Sequence, residues 1–346
     1  MYPFVPRFSF YFQTMHRLLL PFSCLYALAT DVRNLLFDSG CLRSTKPPMP
    51  TIGIGNLAVG GTGKTPHAEF FARHLLAQGC KVAILSRGYG RSTRGYRAAS
   101  PQSTAEEVGD EPLQMFRRFR GEVAVAVCER RAEGLKRLKQ SIDPDVVILD
   151  DVFQHRYVRP QLLILLTDCS WLYCDDCVVP AGRLRERRRG ARRADVIIVT
   201  KCPPNLTEAR RCDIIRRLKP LPHQQVFFSA MAYAPLTLPE GNARALLLTG
   251  IARPEPLVKH LQDSGIHIAR HLKFPDHHRF SPSDLTRIIE AARAASCVIT
   301  TAKDFARLPQ ADLPDDVVQK ICVQEIEVRI LFDQQTELTS TLKKLS

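Results

Sequence analysis

Short apolar runs alternate with helix-length segments along most of this chain. The runs have the length of buried strands and are bounded by glycine or polar residues. They lie at 51–54, 81–85, 122–127, 146–149, 161–167 and 195–200. Strands that alternate with helices in this way usually pair in parallel, with the helices covering the faces of the sheet. The pattern therefore predicts an α/β fold with a mostly parallel sheet flanked by helices.

A second and smaller α/β pattern begins near residue 229. Its predicted strands and helices lie at 243–250, 254–264, 267–274, 281–295 and 297–301. Because this alternation is complete in itself, we expect it to form a unit of its own. The predicted parts are an N-terminal helical segment, a larger α/β domain and a smaller C-terminal α/β domain, at 1–46, 47–228 and 229–346.

The N-terminal segment is apolar in its middle and basic at its flank. The run Leu18 to Thr30 carries no charged residue, contains Pro21, and is preceded by Arg7, His16 and Arg17. A membrane span needs about 20 apolar residues, and this run is shorter. The pattern favours an amphipathic helix that lies in the membrane interface with its basic residues at headgroup level. A buried N-terminal helix and a signal sequence without a clear cleavage site are the alternatives.

A glycine-rich turn follows the first predicted strand and leads into a helix. Its residues are Gly60, Gly61, Thr62, Gly63, Lys64, Thr65 and Pro66. In a phosphate-binding loop of this kind, backbone N–H groups surround the phosphates of a nucleotide, and the following helix directs its positive end at them. Lys64 would reach the β- and γ-phosphates, and the Thr65 hydroxyl would bind Mg2+. Pro66 suits the first helical turn, where its missing N–H is not needed.

The same stretch allows a second interpretation. Gly53, Gly55 and Ala58 match a dinucleotide fingerprint, and Ala58 stands where the strict triphosphate pattern has glycine. Glycines after a strand often make only a tight turn, so this fingerprint is weak on its own. Lys64 and Thr65 have no role in a dinucleotide site, whereas each has a defined role at a triphosphate. The triphosphate interpretation is therefore favoured.

Two acids directly follow the predicted strand at 146–149. Asp150 and Asp151 stand where enzymes with a phosphate-binding loop deliver a carboxylate to Mg2+. Many buried strands end in aspartate, so this assignment depends on the upstream Lys64 and Thr65. Specificity for guanine lacks support, because Pro203 stands where a guanine-reading loop has aspartate.

The charge of the chain indicates an anionic partner. Its 49 Lys and Arg against 35 Asp and Glu leave a net charge of +14, which suits nucleic acid, an acidic membrane surface or a phosphorylated substrate. Seven arginines between Arg183 and Arg193 are typical of a solvated helix face or of such a patch. The cluster Cys169, Cys174 and Cys177 lacks the second ligand pair of a zinc site, so thiols in a loop or core are favoured.

Several motifs in this order resemble the tetraacyldisaccharide 4'-kinase family, the lipid A kinases of Gram-negative bacteria. They are Gly55-Asn56-Leu57, Gly63-Lys64-Thr65-Pro66, Ser86-Arg87-Gly88-Tyr89, Gly109-Asp110-Glu111-Pro112, Leu149-Asp150-Asp151, Phe153-Gln154-His155, Pro180-Ala181-Gly182, Leu184-Arg185-Glu186 and Phe274-Pro275-Asp276-His277. The resemblance implies transfer of the ATP γ-phosphate to the 4'-hydroxyl of an acylated disaccharide 1-phosphate, giving lipid IVA. It also implies a need for Mg2+ and a place at the cytoplasmic face of the inner membrane, with no nucleic acid expected.

The resemblance also implies roles for residues of this chain. Asp110 is similar to the general base of the family, and His277 to its supporting partner. Lys64 is the expected catalytic lysine, and Asp150 and Asp151 are the expected metal-binding and catalytic acids. Further expected site residues, for substrate or phosphate, are Arg87, Arg130, Gln154, His155, Arg185, Glu186 and Asp276. With Asp110 and His277 on different predicted domains, domain closure would assemble the site and exclude water.

Two other classes of protein remain open from the residues alone. A nucleic-acid-dependent NTPase with a phosphate-binding loop would explain the charge of +14 and the arginine run. A membrane-recruited regulator could bind nucleotide without transferring phosphate. The full set of acids argues against the regulator, because binding alone does not require them.

Overall fold

The structure is a computed structural model that describes residues 10–238, 244–276, 278–309 and 312–342. The chain divides into two compact units. The first unit comprises Met1–Leu85, Arg131–Met231 and Val328–Ser346, and the second comprises Ser86–Arg130 and Ala232–Glu327. Neither unit is a continuous segment, whereas the sequence predicts continuous domains at 47–228 and 229–346. The predicted bounds concern parts of the chain that fold independently, which a division into compact units does not test. They therefore stay a prediction.

The secondary structure elements are named in chain order. The strands are β1 Thr51–Asn56, β2 Val82–Ser86, β3 Arg97–Ala98, β4 Ala124–Val127, β5 Val146–Leu149, β6 Leu162–Asp168, β7 Val196–Thr200, β8 Gln225–Tyr233, β9 Arg244–Thr249, β10 His267–Lys273, β11 Cys297–Thr301, β12 Ile321–Gln324 and β13 Ile326–Ile330. The helices are α1 Phe10–Asp38, α2 Lys64–Ala77, α3 Ala105–Val108, α4 Asp110–Phe119, α5 Arg131–Ser141, α6 Glu208–Leu218, α7 Glu255–Asp263, α8 Pro282–Arg293, α9 Ala302–Arg307, α10 Asp315–Val318 and α11 Gln335–Ser340.

The sheet of the first unit has the strand order β13-β8-β7-β6-β1-β5-β2. The pairs from β8 through to β2 are parallel. Strands β1, β2, β5 and β7 are buried along their whole length, which is why they read as unbroken apolar runs. Because parallel strands end at the same edge, the loops after β1, β5, β6 and β7 meet at one edge of the sheet.

The second unit contains a separate four-stranded sheet. Its order is β10-β9-β11-β12, and all three strand pairs are parallel. Strands β3 and β4 of the same unit pair antiparallel. A core cluster that includes Leu246, Leu248, Ile288 and Val298 packs α8 against this sheet. The predicted α/β fold, with its mostly parallel sheet and smaller second α/β pattern, is confirmed.

Some elements were not predicted because their sequence signal is weak. Helix α6 is rich in arginine and buries only Ile214 and Leu218, so it shows little apolar periodicity. Strand β3 consists of only two exposed residues, too few to give a strand pattern. The arginine run forms a 3-10 helix at Arg188–Arg193 rather than a regular α-helix.

Helix α1 is longer than the apolar run that predicts it. It extends through Pro21 and buries Ser23, Ala27 and Phe37. Its other described side chains include exposed large apolar residues: Leu20, Phe22, Leu25, Tyr26, Leu28, Val32, Leu35 and Leu36. Within the described residues, no helix has the length and apolar character needed to cross a membrane.

Candidate active site

The loop between β1 and α2 has the backbone shape of a phosphate-binding loop. Gly63 immediately precedes the helix with φ 86°, a left-handed conformation that favours glycine. A Cβ at Gly63 would lie 2.5 Å from the Met231 methyl group, so a larger residue would require that side chain to move. Lys64 and Thr65 begin α2, whose first N–H groups have no partner within the helix. This arrangement presents backbone N–H groups to an anion, as the sequence predicts.

Side chains outside the loop hold two of its carbonyl groups. The Thr200 hydroxyl donates to the Thr62 carbonyl at 2.9 Å, and the Lys201 ammonium donates to the Gly61 carbonyl. The Asn56 amide donates to the Thr62 hydroxyl at 2.9 Å. Because these side chains hold the loop in one conformation before a ligand binds, less conformational entropy is lost on binding. No local motif predicts this role for Lys201, because its contact depends on β7 ending beside the loop.

His67 lies beneath the same loop and belongs to its support. Its Nδ1 is 2.7 Å from the Gly63 carbonyl oxygen, and its Nε2 is 3.0 Å from the Ser229 hydroxyl. Burial lowers the pKa of His67 to about 4, although the hydrogen bond to Gly63 opposes this shift. The imidazole is therefore neutral near pH 7 and connects α2 to β8 as a hydrogen-bonded core residue.

Asp151 lies between two cations at the end of β5. Its carboxylate is 3.5 Å from the Lys64 Nζ and 3.2 Å from the Arg185 Nη1. Burial raises the pKa of Asp151, but the charges of Lys64 and Arg185 outweigh burial and hold that pKa below its usual value. The structure thus brings together three residues that are distant in sequence and that the motifs predict for one site.

Asp150 and Thr65 are both largely buried in the first unit. Asp150 is 1% exposed, and Thr65 is 7% exposed. The backbone N–H of Asp150 donates to the Leu85 carbonyl at 3.0 Å, and the Arg131 guanidinium donates to the Asp150 carbonyl at 3.0 Å. These bonds fix the position at which β5 ends. The backbone of Asp150 is thereby held in place at the end of a buried strand.

Gln154 and Glu186 connect the loop after β5 to helix α1. Gln154 Nε2 donates to the Asn56 carbonyl at 2.8 Å and to the Glu186 carboxylate at 3.3 Å. Glu186 is 3% exposed and also accepts from Asn34 at 2.7 Å and from Arg193 at 2.7 Å. A buried acid with this many donors holds its neighbours in place, so Glu186 joins α1, the loop after β5 and the 3-10 helix. No motif in the sequence marks Asn34.

The arginine run is largely paired with acids of the first unit. Arg187 and Arg189 each contact Asp31 at 2.9 Å. Arg193 and Arg185 contact the acids described above. These pairs anchor the 3-10 helix to α1 and to the site. Only part of the run is therefore a solvated face. The sequence does not predict these ion pairs, because a count of arginines does not reveal their partners.

The second unit carries another group of predicted residues. Asp110 begins α4, and its carboxylate is 2.9 Å from the Arg307 Nε at the end of α9. Phe274, Pro275 and Asp276 follow β10, and a Cβ at Gly250 would lie 3.2 Å from the Pro275 carbonyl oxygen. Arg307 also donates to the Gly250 carbonyl at 3.2 Å. Asp110 and the loop after β10 therefore lie in one unit, whereas the sequence predicts different domains for them.

Other predicted residues lie at the surface or beyond the described chain. Arg87 and Arg130 are exposed, and Asp276 is exposed in the loop after β10. Arg87 lines a cavity of about 380 Å³ in the second unit, together with Gly88, Tyr89, Gly90, Arg91, Ser92, Thr93, Arg94 and Glu129. His155 is half-buried in the first unit and contacts the Tyr157 ring edge-on. His277 lies outside the described residues.

The fold and this geometry define a kinase-type enzyme with a phosphate-binding loop. The family model described as Tetraacyldisaccharide-1-P 4'-kinase matches residues 15–346. The chain therefore belongs to the tetraacyldisaccharide-1-P 4'-kinase family.

Individual relatives agree with the family match along nearly the whole chain. The tetraacyldisaccharide 4'-kinase of Bacteroides thetaiotaomicron is 43% identical, with 94% of this chain and 92% of that protein covered. The tetraacyldisaccharide 4'-kinase of Parabacteroides distasonis is 44% identical, with 95% and 94% covered. The crystal structure of LpxK from Aquifex aeolicus in complex with ATP is 28% identical and superposes with a TM-score of 0.75, covering 96% of this chain and 99% of that one.

Proposed function

We infer that this chain is an ATP-dependent lipid kinase. It transfers the γ-phosphate of ATP to the 4'-hydroxyl of tetraacyldisaccharide 1-phosphate and forms lipid IVA in lipid A biosynthesis. The observation that carries this conclusion is the family match over residues 15–346 on a fold whose phosphate-binding loop is intact. The relatives named as tetraacyldisaccharide 4'-kinases identify the acceptor.

The first unit supplies the nucleotide site in this proposal. Backbone N–H groups of the loop and the first turn of α2 bind the ATP phosphates, and Lys64 places a positive charge on them. Arg185 lies beside the same carboxylate as Lys64, so both cations are available to the transferring group. Positive charge that is fixed before reaction stabilises the charge that spreads over the phosphoryl oxygens.

We propose that Thr65, Asp150 and Asp151 hold Mg2+. The described residues contain no cluster of three His, Cys, Asp or Glu that could bind a metal without help. That donor set still fits Mg2+, which uses one or two carboxylates together with substrate phosphates and water. When bound, Mg2+ would neutralise charge on the β- and γ-phosphates. Lys64 and Arg185 keep Asp151 ionised, the form in which a carboxylate binds a metal.

We propose that Asp110 accepts the proton of the acceptor hydroxyl, with His277 as its supporting partner. A sugar hydroxyl has a high pKa, so its attack on phosphorus benefits from a carboxylate within hydrogen-bond reach. Asp110 lies in the same compact unit as the residues that flank His277, which supports a working pair. Arg87, Arg130, His155 and Asp276 would then contact the substrate or its phosphate.

We propose that α1 and its basic neighbours place the enzyme on the cytoplasmic face of the inner membrane as a peripheral protein. Exposed Phe22, Leu25 and Leu28 would enter the boundary between headgroups and acyl chains. Replacing Leu25 and Leu28 with serine should reduce cosedimentation with anionic phospholipid vesicles several-fold. Leu42→Ser, outside α1, is the control, and unchanged sedimentation of the double variant would contradict this placement.

Transfer of label from γ-labelled ATP tests the proposed reaction. Purified protein, Mg2+ and tetraacyldisaccharide 1-phosphate in detergent should yield labelled lipid, and Lys64→Ala should abolish it. ATP hydrolysis without labelled lipid would contradict the kinase assignment. ATP hydrolysis that rises with added DNA or RNA would instead favour the nucleic-acid-dependent class.

A further inference from the structure

Arg307 makes a close ion pair with the proposed base. Its Nε is 2.9 Å from Asp110 Oδ2, and its side chain is only 4% exposed. The two residues are far apart in sequence, at the start of α4 and the end of α9. No sequence motif marks this arginine, because its function depends on the packing of two helices within the second unit.

The Arg307 guanidinium also contacts two acceptors other than Asp110. Its Nη1 is 3.2 Å from the Gly250 carbonyl oxygen and 3.4 Å from Asp304 Oδ1. Asp304 is fully buried and also accepts from the Thr301 hydroxyl at 2.7 Å. The planar guanidinium therefore contacts Asp110 on one side and two other acceptors, Gly250 and Asp304, on its other side, and its fork geometry leaves it little freedom to rotate.

We propose that Arg307 is a positioning residue that orients Asp110 for proton transfer. This inference rests on the proposed function, in which Asp110 is the base. An unanchored carboxylate side chain samples several rotamers, and a hydrogen bond to one of its oxygens selects one of them. Orientation matters because small misplacements of a reacting group reduce the rate strongly. Arg307 thus acts on the reaction only through Asp110.

A second arginine at the same helix contact provides a matched control. Arg117 of α4 donates to the carbonyl groups of Phe305 and Ala306 in α9, at 3.2 and 2.9 Å. It joins the same two helices but contacts their backbone rather than the base. A purely structural role for Arg307 would make these two arginines equivalent in their effect on turnover.

The test compares Arg307→Lys with Arg117→Lys. Lysine keeps the charge beside buried Asp304 but cannot reproduce the guanidinium fork. For Arg307→Lys we expect kcat to fall about 10- to 100-fold with little change in KM for ATP. For Arg117→Lys we expect a lower melting temperature and nearly unchanged kcat. Arg307→Gln serves as a second variant if the lysine variant does not fold, with the same expected loss.

A double variant separates positioning from general damage. In the Asp110→Asn background, Arg307→Lys should cost no further turnover, because the residue through which it acts is already disabled. A full additional loss, an equal kcat loss in Arg117→Lys, or wild-type kcat in Arg307→Lys and Arg307→Gln would overturn the inference. Wild-type turnover of Asp110→Asn alone would instead show that the base assignment failed, and the inference with it.

Discussion

Two groups of charged residues can be compared: the phosphate-binding corner of the first unit, formed by Lys64, Asp151 and Arg185, and the Asp110 corner of the second unit, formed by Asp110, Asp304 and Arg307. The two corners balance charge in opposite ways. In the first corner, two cations, Lys64 and Arg185, contact the single carboxylate of Asp151. In the second, the single cation Arg307 contacts two carboxylates, Asp110 and Asp304. Excess positive charge suits phosphate oxygens, and excess negative charge suits the acceptance of a proton. We therefore expect the first corner to bind the phosphates and the second to accept the proton, so that a mutation can impair one step without the other.

Lys64→Ala should have the largest combined effect on ATP binding and transfer, because it removes a cation from the phosphates and from Asp151. We expect transfer to lipid to fall at least about 100-fold, with weaker ATP binding as well. Labelled-lipid formation and a nucleotide-binding titration measure the two effects. Lys219→Ala, an exposed lysine at the end of α6, is the matched control. Full activity of Lys64→Ala would refute the assignment of the first corner.

Asp110→Asn should impair proton transfer in the second corner without impairing ATP binding in the first. We expect kcat to fall about 10²- to 10⁴-fold, because asparagine cannot accept the proton. ATP binding should be preserved, because the phosphate-binding loop belongs to the other unit. Steady-state kinetics and an ATP titration on the same preparation provide the measurement. Loss of ATP affinity comparable with the loss of kcat would break the proposed division of steps.

Lys201→Met should weaken ATP binding moderately while leaving turnover intact. The variant loses the contact to the Gly61 carbonyl and the 3.0 Å ion pair with Asp168. The lysine is 42% exposed, so we expect KM for ATP to rise only several-fold, to about tenfold at most. KM for the lipid acceptor serves as the internal control. A fall in kcat with unchanged KM for ATP would assign Lys201 another role.

Glu186→Gln should act on stability more than on chemistry. The change removes a buried charge that accepts from Asn34 and Arg193, at a cost of about 1–3 kcal/mol in the free energy of unfolding. Thermal unfolding should report a melting temperature several degrees lower. Glu208→Gln, an exposed acid paired within α6, should leave it nearly unchanged. A large kcat loss without destabilisation would instead give Glu186 a direct catalytic role.

The two corners also differ in how many of their residues the sequence predicts. The phosphate-binding loop is encoded in consecutive residues, Gly60 to Pro66, and its partner Asp151 follows a recognisable apolar strand. Local pattern and known chemistry therefore suffice to predict it. The second corner joins Asp110 to Arg307 across a helix contact that no local pattern specifies. The same reason explains why Lys201 and Asn34 were missed.

The proposed reaction adds a phosphate to the 4'-hydroxyl of the acylated disaccharide. Phosphorus NMR of the purified product, with coupling to the sugar protons, locates that phosphate. We expect two separate phosphate monoesters, one at position 1 and a new one at position 4'. A diphosphate at position 1, or a monoester on another hydroxyl, would refute transfer to the 4'-hydroxyl.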